Sequence, residues 1–222
     1  MNFVSDLENS LRGNSNRKTA IPMENYMKNN FDFLGIKTKE RRAILKENCE
    51  KFKQEVKVNF RVFAWELFQK REREFHMCAI DIFIKEIKKN YVQEDIILIE
   101  KLIITNSWWD SVDTIAKYLV GGYLQRFPEK TFEIIERFSN SKNMWLNRSA
   151  LLFQLSYKER TNFELLKSEC EKHKESNEFF VQKAIGWALR DYSRFNPNGV
   201  KEYVDSTNLK PLSQREALRN IT

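Results

Sequence analysis

Apolar residues recur along the chain at intervals of three and four, as in Phe75, Ala79, Ile82 and Phe83, then Ile115, Leu119 and Tyr123, then Ile185, Leu189 and Tyr192. That spacing gathers them on one stripe of a 3.6-residue helix, and the period-two alternation of a half-buried strand is scarce. Turn-forming and helix-ending residues interrupt the stripes near Gly13, Gly35, Asn90, Asn106, Phe127-Pro128, Asn143, Asn177, Asn196-Pro197 and Pro211. Such residues punctuate helices because they cannot extend them without loss. The intervals between them predict about a dozen helices and no strand, an all-α fold.

A slower regularity overlies the helical one. Alanines occupy similar apolar contexts at Ala43, Ala79, Ala150, Ala184 and Ala217, in steps of 36, 71, 34 and 33 residues. The long step is close to two short ones, and the slot missing from its middle, 34 residues after Ala79, holds Asp113. A period of about 35 with two helices per unit predicts a HEAT-like helical repeat solenoid presenting one long concave surface. On this reading residues 1–222 form a single domain. Residues 1–35 add two N-terminal helices, and 36–222 form about five to six two-helix repeats.

Composition narrows the function more than the fold. The chain has 222 residues, 41% of them hydrophobic and 13% aromatic, enough for a substantial core. Its six glycines and four prolines are too few for a disordered or turn-rich β chain. No apolar run approaches the roughly 18 residues that span a membrane, and no signal-peptide pattern opens the chain, so a soluble cytoplasmic protein with no membrane role is expected. Against 31 acidic residues stand 38 basic ones, a net charge of +7 that favours a polyanionic partner. Cys49, Cys78 and Cys170 are odd in number and widely spaced, and His76 and His173 are the only histidines. With no Gly-rich phosphate loop, GxSxG or HExxH either, no metal and no cofactor is expected.

The stretch Thr105-Asn106-Ser107-Trp108-Trp109-Asp110-Ser111-Val112-Asp113 carries the candidate chemistry. Ser107 and Asp110 have the spacing of a capping box, and Asp110 is also favoured in a first turn by the helix dipole. Asp113 lacks that explanation, because it occupies a slot that other repeats fill with alanine. A carboxylate there needs a partner or a solvated groove. Trp109, four residues earlier, shares its face, and Trp187, three residues after Ala184, falls on nearly the same face by phase. Arg148 has two readings. If Ala150 sets the register, Arg148 points away from the Asp113 face. If Arg148 itself takes the slot, the steps become 35 and 36 and it points inward. Taken alone it reads as a solvated surface arginine. Lys37, Lys39, Arg41, Arg42, Arg148, Lys158, Lys183 and Arg190 spread basic charge over successive repeats. A concave array of this kind tracks a phosphate backbone, although any single member reads as an ordinary solvated face.

Several longer segments closely resemble the AlkD-type DNA alkylation repair glycosylases. They are Tyr26-Met27-Lys28-Asn29, residues 33–37 with Glu40-Arg41-Arg42, residues 107–113, Trp145-Leu146-Asn147-Arg148, residues 152–155, and residues 179–190. The similarity extends to Arg215-Glu216-Ala217, essentially the whole chain. It implies a HEAT-like superhelix holding double-stranded DNA with alkylated bases in its concave face. The implied activity is hydrolytic excision of cationic alkylated purines such as 3-methyladenine and 7-methylguanine, the lesion remaining stacked. By the same resemblance Asp113 is the catalytic carboxylate, Trp109 and Trp187 flank the sugar, Arg148 contacts phosphate, and Tyr26 contacts DNA. Lys183 and Arg190 join the expected DNA-binding set. A monomer without obligate protein partner is expected. Two other readings compete: a catalytically silent HEAT-like binder of damaged or branched DNA, and a HEAT-like scaffold for proteins.

Overall fold

The computed structural model describes residues 2–221. The chain divides into two compact units, the first ending at Tyr91 and the second starting at Val92. Among the described residues every regular element is helical, and the one β feature is an isolated bridge between Asp32 and Glu72.

The first unit contains α1 (Phe3–Gly13), α2 (Arg17–Tyr26), α3 (Thr38–Lys51), α4 (Lys53–Phe68) and α5 (Arg73–Ile87). Asn2 and Asn16 cap α1 and α2, their side chains accepting from the Ser5 and Thr19 backbone N–H groups. Each cap satisfies a donor that a helix start leaves open. Phe3, Val4, Leu7 and Leu11 form the buried stripe of α1, and α4 packs along α5, with the Phe60 and Phe83 rings 5.7 Å apart. The connection from α2 to α3 is held from within. The Glu74 carboxylate of α5 accepts from the backbone N–H groups of Leu34 (3.0 Å), Gly35 (2.8 Å) and Ile36 (3.1 Å). Gly35 has φ +87°, and a Cβ there would overlap the Asn16 carbonyl. Only glycine follows this path without strain.

The second unit contains α6 (Asp95–Ile104), α7 (Trp109–Thr114), a π turn (Ile115–Val120), α8 (Gly121–Arg126), α9 (Thr131–Ser139), α10 (Met144–Leu152), α11 (Phe163–His173), α12 (Phe179–Tyr192), α13 (Pro197–Ser206) and α14 (Pro211–Leu218). The π turn packs on α10, α10 on α12, and α12 on α14. Beside that row, α9 lies against α10, α11 against α10 and α12, and α13 against α12 and α14. Ala116, Leu151, Leu152, Val181, Ala184, Ile185, Leu189 and Ala217 belong to one buried cluster. In both units, side-chain hydrogen bonds join elements 31 to 40 residues apart, for example Glu74 to Leu34, Asp113 to Arg148, Gly121 to Tyr157, and Gln182 to Ser213.

Three expectations are corrected. Ala43 is exposed, whereas Ala79, Ala150, Ala184 and Ala217 are buried. Arg41 takes the inward position on α3 instead, with NH2 2.9 Å from Asp81 and NH1 3.5 Å from the Cys78 thiol. Ser107 does not cap α7. Its hydroxyl donates to the Ile103 carbonyl at the end of α6 (2.6 Å), and Trp108 takes the N-cap position without a side-chain cap bond. An open carbonyl at the preceding helix end outcompetes the amides of the next helix. Arg148 is not a surface residue: it and Ala150 are both buried, because α10 is covered on most sides.

Glu74→Ala would leave three buried N–H groups without an acceptor. The expected loss is about 3 kcal/mol or more, at roughly 1 kcal/mol or more per orphaned donor. Urea unfolding of the variant against the parent measures it, and a loss below about 1 kcal/mol would contradict this account of the connection.

Candidate functional site

Trp109 opens α7 and Asp113 lies one turn later, so the two side chains share a face, and both are only partly buried. The π turn starts two residues beyond Asp113. Such a turn carries extra backbone per revolution and shifts the phase of the residues after it, and π turns inside α-helices recur at functional sites. The helical pattern of the sequence contained no sign of it.

Arg148 reaches Asp113 from α10 with a two-pronged contact. Its Nε lies 2.6 Å from Asp113 Oδ1 and its NH2 2.8 Å from Oδ2. The remaining nitrogen, NH1, donates to the Phe180 backbone carbonyl at the start of α12. One guanidinium thus joins α7, α10 and α12. The side chains of Arg148 and Asp113 are 5% and 12% exposed, so the pair is nearly dry. Burial pushes the Asp113 carboxyl above the usual aspartate range, Arg148 opposes the shift, and neighbouring Asp110 adds to it.

An aromatic cluster adjoins the pair through Phe180. Trp108, Trp145 and Phe180 meet with ring centroids 5.1–5.9 Å apart, Trp108 standing edge-on to Phe180. The Arg148 guanidinium lies 5.8 Å from the Phe180 ring centroid, and Phe179 packs edge-on to Phe180 while remaining 57% exposed. The Trp108 indole Nε1 is buried without a hydrogen-bond acceptor.

Trp187 lies on α12, partly buried and packed against the unit's core. It stands two turns after Phe180 on the same helix face, about 10 Å along the axis at 1.5 Å per residue. Lys183 and Arg190, one turn to either side of it, are both engaged by Glu216 of α14, Lys183 Nζ at 2.8 Å and Arg190 NH1 at 2.6 Å. Tyr26 belongs to the first unit, is the last residue of α2 and is 69% exposed. The structure therefore brings Asp113 and Arg148 into direct contact, links them to α12 through Phe180, and pairs Lys183 and Arg190 with a carboxylate. The Phe180 carbonyl and Glu216 were not foreseen. Glu216 lies one repeat step beyond Lys183, which is the one signal that points to it.

The described residues form an all-α fold in which Asp113 and Arg148, 35 residues apart, meet as an ion pair, and comparison with known proteins identifies the family. The chain belongs to the family described as DNA alkylation repair enzyme, whose model matches residues 7–221. A solved structure described as a predicted DNA alkylation repair enzyme from Enterococcus faecalis is 33% identical, with 94% of this chain and 97% of that chain covered and a TM-score of 0.85. The fold is also shared with smu.31 of Streptococcus mutans UA159 (19% identity, 83% of this chain and 98% of that chain, TM-score 0.59). It is shared too with AlkD2 of Streptococcus mutans (21% identity, 72% and 78% covered, TM-score 0.56). Among curated proteins no match is found. No helix among the described residues is long and apolar enough to cross a membrane.

Replacing Arg148 with methionine would leave a buried carboxylate uncompensated. The expected cost at neutral pH is about 3–5 kcal/mol. The Asp113 carboxyl would rise further above its unfolded value, so its protonated form would be compatible with the fold and its ionised form would oppose it. The deficit should therefore be small below the unfolded pKa of aspartate and grow as pH rises through the folded pKa. Urea unfolding from mildly acid to neutral pH checks this, and a deficit independent of pH would refute it.

Proposed function

We propose that the chain is a DNA glycosylase that hydrolyses the glycosidic bond of cationic alkylated purines in duplex DNA. The observation that carries this reading is Asp113: a carboxylate in a slot that the repeats at Ala79, Ala150, Ala184 and Ala217 fill with buried alanine, on one face with Trp109 and with both oxygens held by Arg148. Membership of the DNA alkylation repair enzyme family supports it. The helices α7, α10, α12 and α14 would line the concave face of a HEAT-like superhelix that grips the DNA.

Alkylation of a purine ring nitrogen makes the base positive and a good leaving group. As its bond to C1′ lengthens, positive charge develops on the deoxyribose. A fixed carboxylate beside the sugar stabilises that charge without reorganising, and it orients or deprotonates the incoming water. The logic is that of carboxylates in glycoside hydrolysis, on a different fold. The indole faces of Trp109 and Trp187 favour a cationic sugar by roughly 0.5–2 kcal/mol each and exclude competing water. The resemblance to AlkD-type glycosylases implies that the base stays in the stack, and discrimination then falls on the charge and lability of the lesion. The second reading, a silent DNA-binding relative, is favoured by one feature: both oxygens of Asp113 are already engaged by Arg148.

Release of 7-methylguanine from duplex DNA separates the two. The parent is expected to release the base, and Asp113→Asn to lose about 10²-fold or more while still binding DNA. Tight binding without release by the parent would select the silent reading. Hypoxanthine, a neutral lesion, should be released slowly, and efficient release would overturn discrimination by charge. Catalysis needs the ionised carboxylate, and burial raises the Asp113 pKa. Release should therefore fall, as pH drops, at a higher pH than an ordinary aspartate would impose. An acid limb at the ordinary aspartate value would show that Asp113 does not set the rate.

A further inference from the structure

Lys183, Trp187 and Arg190 occupy positions i, i+4 and i+7 of α12, and so stand in a line on one face. Both cations of that line converge on a single carboxylate. Glu216 of α14 is 9% exposed, with Oε1 2.8 Å from Lys183 Nζ and Oε2 2.6 Å from Arg190 NH1. It therefore spans Trp187, gripping the residue one turn before it and the residue one turn after.

The backbone is built to bring Glu216 there. Gly186 precedes Trp187, and a Cβ on it would overlap the Glu216 Cβ and come within 2.8 Å of the Ser213 carbonyl oxygen. A glycine at this level lets α14 lie directly against α12. The Ser213 hydroxyl adds a bond to the Gln182 carbonyl (3.0 Å), tying the start of α14 to the same stretch of α12. Lys183 above all holds the Glu216 carboxyl below its usual range, burial opposes and Arg190 reinforces, so the group is ionised at neutral pH.

We propose that Glu216 is the positioning residue for Trp187 and the counter-ion that withholds Lys183 and Arg190 from DNA phosphate. The catalytic half rests on the glycosylase reading above. Trp187 is to flank a sugar that becomes positive in the transition state. Two uncompensated cations within one helical turn of the indole would oppose that charge, and they would also draw phosphates toward themselves. Such attraction tightens the bound substrate without favouring its transition state. Glu216 turns both cations toward α14 and cuts the local charge from +2 to +1. It gives up DNA affinity in exchange for turnover, and it holds the α12 face on which the indole sits.

Glu216→Gln, which keeps the shape and removes the charge, is the decisive variant. Binding to unmodified duplex DNA is measured over a range of salt, and single-turnover base release is measured on duplex containing 7-methylguanine. Freed cations should make the slope of log K against log salt steeper by about 0.9 for each new phosphate contact, one or two in number, with tighter binding at low salt. Release should slow by about tenfold or more, since small displacements at a reacting centre carry penalties of that order. A packing role alone predicts the opposite for binding: an unchanged slope and equal or weaker affinity. Either that result or an unchanged rate of release overturns the proposal. Glu216→Asp, which keeps the charge, should retain the parent slope. Should Glu216→Gln fail to fold, Lys183→Gln decides. Lysine already withheld from phosphate can be removed without lowering the parent slope, and a lowered slope refutes the counter-ion role. If the parent releases no base, the glycosylase reading falls, while the salt slopes still settle whether Glu216 restrains the two cations.

Discussion

The buried contact between Asp113 and Arg148 sets the terms for its surroundings. Withdrawing a carboxylate and a guanidinium from water costs several kcal/mol per ion, and mutual attraction offsets this only when the geometry is good and the remaining donors are satisfied. Both conditions are met here. Two prongs of the guanidinium meet the two carboxylate oxygens, and the third nitrogen finds the Phe180 carbonyl. The aromatic cluster of Trp108, Trp145 and Phe180 adjoins the guanidinium through the Phe180 ring. Because the three anchors lie on α7, α10 and α12, the pair also fixes how those helices stack. A chemical requirement of the site and the spacing of the helices become one constraint.

That pairing changes what the overall charge means. An excess of +7 invites a picture of open cations awaiting phosphate. Around the candidate site the cations are instead engaged, Arg148 by Asp113 and Lys183 with Arg190 by Glu216. Paired cations give direction and restraint. They hold side chains in fixed geometry and present less net charge to a polyanion than open cations would. The chain shares this helical arrangement with a structure described as a predicted DNA alkylation repair enzyme over nearly its whole length, and it belongs to that family.

Sequence by itself determined the helical class, because three- and four-residue spacing of apolar side chains makes sense only on a helix. It also marked Asp113, since a carboxylate in a slot of alanines is an energetic anomaly that needs a partner, and it placed Trp109 on the same face by simple phase. The slower period was legible in Ala79, Ala150, Ala184 and Ala217, where a small residue is wanted at a close approach. It misled at Ala43, because an alanine is cheap on a surface too, and there the inward position went to Arg41.

Tertiary structure decided the rest, because those features depend on what lies across from a residue rather than beside it in the chain. Ser107 turned to the open carbonyl of Ile103 instead of capping α7. Arg148, whose direction the two registers left open, was drawn inward by Asp113 and the Phe180 carbonyl. The π turn after Asp113 has no periodic signature over so short a length. Glu216 gains its place only because Gly186 lets α14 close on α12. Local periodicity reports which face of a helix is buried, but the partner that satisfies a charge on that face comes from another helix, and only the packed fold names it.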